Sequence, residues 1–212
     1  MRSTRTAGKL FILPLLALLA TAAAQASVIL DVASALDLED PIQLGRLSRN
    51  GIPQDWLGDE PFPGVITTTV SYHYHAYLVN VGDTPFVQIE VDSVSRDTFV
   101  SAYDTSYLPD SAGTPNFGFD TNWLGDAGAS GNLFGVDPAH FQVLVPQNHE
   151  LLVIVNNTSG NAGIGDPFHL TVEGFIDSDF TNPPGVPEPT TVFVCGAGLA
   201  LMALARRIRR KN

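Results

Sequence analysis

The chain has 212 residues and a net charge of -11, and that charge is segregated: of eleven Lys and Arg, three precede residue 10 and five follow residue 205. Between Ser27 and Gly185 only Arg46, Arg49 and Arg96 stand against twenty-one Asp and Glu, a net charge of -18. Such a body repels phosphate backbones and excludes a nucleic-acid partner, while it favours solubility and is compatible with a divalent cation. The single cysteine, Cys195, sits in an apolar run, so no disulfide forms within the chain and the acidic body has neither thiol catalysis nor a cysteine metal site.

The first 26 residues read as a secretory signal peptide. Arg2, Arg5 and Lys9 form a basic start, and Leu10 to Ala20 forms an apolar helix-forming run interrupted by Pro14. Ala24-Gln25-Ala26 is an A-x-A cleavage site, with Ala24 and Ala26 the small residues that a signal peptidase requires. The mature chain is therefore expected to begin at Ser27, after transit through the export machinery.

From residue 27 to 176 the pattern is that of a single acidic all-β domain. Glycine and proline punctuate short runs rich in Val, Ile, Thr, Tyr and Phe, and helix signals are few. Val65–Val70 and Tyr72–Asn80 are two candidate strands. Phe86–Val94 alternates, with Gln88, Glu90 and Asp92 opposing Val87, Ile89 and Val91. The loop Val81-Gly82-Asp83-Thr84-Pro85 is expected to join this run to the preceding one as a hairpin. Thr98–Tyr103, Phe141–Val145, Leu151–Val155 and Phe168–Ile176 follow. Six to nine strands at this spacing predict a β-sandwich or jelly roll.

Four sets of side chains could carry chemistry. His73 and His75, two apart in a strand, share a face and could meet one metal ion if His140, His149 or His169 joined them; surface histidines on a half-buried strand are the plainer reading. Asp120, Asn122, Asp126 and Asp137, among Gly125, Gly128, Gly131 and Gly135, are oxygen ligands of the kind calcium takes, although their spacing is not that of an EF-hand and Asp and Asn also serve turns. Trp56 and Trp123 could stack on sugar rings, or pack as core or loop residues. Asp59 and Glu60 are consecutive carboxylates, expected to be solvated. No Gly-x-Ser-x-Gly, His-Glu-x-x-His or P-loop occurs, so no enzyme is expected.

Residues 177 to 185 form a polar linker with Pro183, Pro184 and Gly185. After it, residues 186 to 212 carry three features in order. These are Val186-Pro187-Glu188-Pro189, an uncharged stretch to Ala205, and Arg206, Arg207, Arg209 and Arg210. The uncharged stretch is near the lower limit of about 17 residues for a single transmembrane helix. The positive-inside rule holds the arginines in the cytoplasm and the β domain outside, the orientation that the signal peptide gives independently.

This combination resembles the PEP-CTERM sorting signal, with Pro187, Glu188 and Pro189 matching its motif. The resemblance implies an exosortase as partner, a transient membrane anchor, removal of the tail, and a destination at the cell surface or in an exopolysaccharide or biofilm matrix. The span departs from the pattern at Thr190, Thr191 and Cys195, where Ala, Leu or Gly is more usual. The strand order over Ser71–Gly174 is similar to the bacterial pre-peptidase C-terminal type of β-sandwich, which implies a fold and no activity. The expectation is a non-catalytic exported protein without an obligatory cofactor, with calcium as a candidate ligand. Two alternatives stay open: a membrane-anchored module that binds carbohydrate or calcium, and a secreted hydrolase.

Overall fold

A computed structural model describes residues 26–109, 118–131 and 139–176, with backbone only at 67–69. The described residues form nine strands and no α-helix. They are β1 (Ser27–Ala35), β2 (Ile42–Leu47), β3 (Val65–Val79), β4 (Phe86–Ser93), β5 (Thr98–Asp104), β6 (Trp123–Asp126), β7 (Ala139–Leu144), β8 (Leu151–Asn157) and β9 (Pro167–Phe175). The signal-peptide segment up to residue 25, the linker and the C-terminal span lie outside the described residues. No described helix is long and apolar enough to cross a membrane.

The strands make a sandwich of two antiparallel sheets, ordered β1-β9-β4-β7 and β2-β3-β8-β5-β6. Alternation builds the core. Val87, Ile89 and Val91 of β4 point inward with Phe168, Leu170 and Val172 of β9 and Phe141 and Val143 of β7. They meet Val79, Val100, Ala102, Leu151, Val153 and Val155 of the facing sheet. Each fully buried aliphatic side chain contributes about 1.5–3 kcal/mol, so this layer is the main favourable term in the absence of any disulfide.

A second, smaller cluster lies on the outer face of the five-stranded sheet. Leu47, Phe99 and Phe119 are buried there, with Phe62, Tyr107 and Trp123 packed against them. Strand β5 is thus covered on both faces: Val100 and Ala102 enter the inter-sheet core, and Phe99 enters the outer cluster. Gln43 of β2 is 1 % exposed and accepts a hydrogen bond from the Tyr107 hydroxyl, which ties the outer segment to the sheet.

The expected hairpin at residues 81–85 is instead a crossover. β3 belongs to the five-stranded sheet and β4 to the other, so the loop arches between layers. Val79 and Val81 are both buried beneath it, and Thr84 closes its turn by donating from its amide to the Val81 carbonyl at 3.0 Å. Two further differences concern β3 and β6. The runs before and after Ser71 form one continuous strand, and the glycine-rich acidic stretch contains a strand, β6.

Candidate functional site

The acidic glycine-rich stretch does not gather its carboxylates. Asp120 and Asn122 are exposed, and Asn122, at φ 60°, turns its side-chain amide to donate to the Ser106 hydroxyl at 2.8 Å. Asp126 points inward and is 2 % exposed. Its Oδ1 accepts a hydrogen bond from the Gly128 amide at 2.7 Å, an Asx-type turn. Burial pushes its carboxyl up to about 7, against the lowering influence of the Gly128 amide and the nearby Trp123 indole. That indole N–H makes no hydrogen bond of standard geometry. Asp137 lies outside the described residues. Among the described residues no group of three or more His, Cys, Asp or Glu could hold a metal ion.

The histidines spread over the molecule rather than converging. His73 and His75 do share a face of β3, and both address Asp40: the His73 Nδ1 lies 3.2 Å from its carbonyl, and the His75 Nδ1 lies 3.2 Å from its carboxylate. His149 pairs with Asp104 at 2.7 Å, and His169 with Asp31 at 2.5 Å. His140 stands opposite Glu90 across β4 and β7. Desolvation raises the Glu90 carboxyl, and His140 offsets part of that. The two histidines thus share a face, and Asp40 is the neighbour that both meet there.

The three arginines of the body collect at one end of the sandwich. Arg46 is 8 % exposed and donates to the Thr158 and Leu47 carbonyls. Arg49 donates to the Ser130 hydroxyl at 2.7 Å. Desolvation, and then its neighbour Arg46, lower its guanidinium from its ordinary value. Arg96 lies in the β4–β5 turn at the same end. Asn156 and Asn157, which carry the overlapping N-x-[ST] pattern, are buried here as well.

A concavity that gathers both tryptophans lies elsewhere, along the side where the edge strands β6 and β7 meet. A strap over residues 51–54 closes that side. The Gly51 amide donates to the Gly128 carbonyl at 2.9 Å, the Gln54 amide to the Asp126 carbonyl at 3.0 Å, and the Gln142 amide to the Gln54 carbonyl at 2.9 Å. Gln54 therefore stitches one sheet to the other. Two glycines make room for it. A Cβ on Gly125 would fall 2.7 Å from the Gln54 side chain and 2.9 Å from Val143, and one on Gly128 would strike the Ile52 backbone.

Beyond the strap the chain turns at Asp55–Gly58 and delivers Trp56. Its indole N–H donates to the Val87 carbonyl at 3.2 Å, and its ring makes edge contacts with Phe175 and Phe86 at 5.5 and 6.3 Å between centroids. Trp123, at the start of β6, makes an edge contact with Phe62 at 5.5 Å. Both tryptophans are half-buried, and both line one cleft of about 270 Å³. Gln54, Asp55, Leu57, Glu60, Val143 and Leu144 complete its walls. The sequence flagged the two tryptophans as one candidate set without placing them; the cleft that unites them depends on the strap, which no local pattern announces.

Residues 185–211 match the PEP-CTERM protein-sorting motif. The match takes in Pro187, Glu188 and Pro189 together with Arg206, Arg207, Arg209 and Arg210, and it begins ten residues after the end of β9. The chain thus carries the signal of an exported exosortase substrate that is anchored in the membrane until it is processed. A search of the curated proteins finds no match to the chain.

Proposed function

We propose that the chain is a non-catalytic surface or extracellular-matrix protein. Its sandwich is the delivered cargo, and its C-terminal tail is a temporary holding device. The observation that carries this reading is the PEP-CTERM match at residues 185–211, placed directly after a self-contained β domain. The physical sense of the tail supports it. Proline removes a backbone donor and disfavours helix at the residue before it, so Pro187 and Pro189 suit a motif that is read in extended form. The charge of Glu188 suits the outer boundary of the bilayer, where a membrane-embedded processing enzyme can act. The arginines hold the other end in the cytoplasm.

Destination in an exopolysaccharide or biofilm matrix is part of the same proposal. Its support is the sorting class of the tail, together with a body whose charge keeps it soluble outside the cell. The test is fractionation of host cells that produce the wild-type chain or a Pro187→Ala, Glu188→Ala, Pro189→Ala variant. The wild-type should reach the surface or matrix fraction, and the variant should stay at full length in the inner membrane. Identical distributions of the two chains would sink the sorting role.

A further inference from the structure

The cleft between Trp56 and Trp123 has the composition of a site for a small amphipathic ring. Its walls combine two indoles, Leu57, Val143 and Leu144 with the carboxylates of Asp55 and Glu60. Leu57 and Leu144 are 77 % and 51 % exposed, so the apolar part of the cleft opens to solvent. Binding sites for small molecules pair such apolar walls with a few placed polar groups, and about 270 Å³ is near the lower bound of their usual size, room for one ring. We propose that the cleft binds an uncharged hexose unit of an extracellular glycan, an inference that rests on the reading of the chain as an exported surface protein.

Two observations select that ligand. The first is amphipathy. A pyranose has C–H faces that rest on indole rings and a rim of hydroxyls that donate to carboxylates, and Asp55 and Glu60 are acceptors of that kind. The second is charge. No lining residue is cationic, and the body's three arginines are gathered at the end where the β4–β5 turn and Thr158 lie. Uronate, sulfate and phosphate groups are therefore repelled.

An extended peptide fits less well. A peptide would add to a strand edge through its backbone, and in this cleft the strap already takes the Asp126 carbonyl of β6 and the Gln142 amide of β7. The same two bonds hold Gln54 and the turn at Asp55–Gly58 in place, so little ordering is needed on binding.

The test is affinity electrophoresis of the full-length chain, in a sugar-free detergent, through gels that contain a neutral β-glucan, a neutral α-glucan or a galactomannan. Polygalacturonate serves as the charged comparison. At least one neutral polymer should retard the chain, and polygalacturonate should not. Asp55→Asn, which keeps an acceptor for the Leu57 amide that closes the turn, combined with Glu60→Ala should keep the urea midpoint and weaken retardation about tenfold or more. Trp123→Phe keeps the ring contact with Phe62 and should weaken retardation severalfold. Absence of retardation by every neutral polymer, retardation unchanged in both variants, or preference for polygalacturonate would each overturn the proposal. Tail processing is read separately, so a chain that is processed normally and retarded by nothing defeats the cleft and leaves the sorting role intact.

Discussion

Ser27 and Gly174 are direct partners across β1 and β9. One is the residue expected after signal-peptide cleavage, and the other is two residues from the end of the described body. The chain therefore enters and leaves the sandwich at a single pole, beside the β3–β4 crossover and the β7–β8 loop. Arg46, Arg49 and Arg96 lie at the opposite pole, and the Trp56–Trp123 cleft opens along one side.

The pairing leaves no room at residue 174. A Cβ there would fall 2.5 Å from Ile29 Cδ1 and 2.8 Å from Thr84 Cβ. Gly174→Val should lower stability by about 1–3 kcal/mol through overpacking at the β1–β9 seam, seen as a lower urea midpoint with an unchanged slope. An unaltered midpoint would mean that β1 does not dock as described.

Asp126 predicts a pH dependence with a definite sign. Its folded-state pKa of about 7 lies above its ordinary value of 3.8 because burial disfavours the charge. Its contribution is fully present below about pH 4, is lost as pH rises towards 7, and stays lost above that. Asp126→Asn keeps an acceptor for the Gly128 amide and cannot ionise. It should raise stability at pH 8 by about 2–4 kcal/mol and flatten the profile between pH 4 and 7, as read from urea midpoints over that range.

The strap predicts a strict requirement at residue 128. Gly128 has φ +66° and lies against the Ile52 backbone, so a side chain there is strained twice over. Gly128→Ala should cost about 2–4 kcal/mol and loosen the β6–β7 side, with faster hydrogen exchange at the Gln54 and Gln142 amides. Protection equal to the wild-type at those amides would contradict the role of the strap.

Gln54 offers a test in the opposite direction. Its backbone does the stitching, while its Oε1 is buried without a partner. Gln54→Met keeps the volume and removes the unmet oxygen, so the free protein should gain up to about 1 kcal/mol or stay level. Thermal unfolding of the two proteins checks this.

Much of the fold was legible because period-two alternation reports faces. Gln88, Glu90 and Asp92 do oppose Val87, Ile89 and Val91, and His73 and His75 do share a side. Alternation does not report neighbours, which is why the 81–85 loop looked like a hairpin: Val79, Val81, Val87 and Ile89 point inward equally well in an arch between sheets. β2 was missed because its pattern is inverted. Ile42 and Leu44 are 57 % and 50 % exposed, while Gln43 and Arg46 are buried with hydrogen-bond partners. β6 was hidden by the glycines in and after it, which read as loop; Gly125 and Gly128 serve instead as clearance for the strap. The cleft was half legible, since tryptophans announce themselves but their meeting depends on tertiary bonds through Gln54.

The most direct test of the central claim is the intact mass of the protein from host cells with and without the exosortase. The account predicts a chain cut after Ala26 in both strains, with the tail lost near Pro187-Glu188-Pro189 only where the enzyme is present. A tail retained in both strains, through Arg206 to Lys211, would contradict it and leave a permanently anchored sandwich.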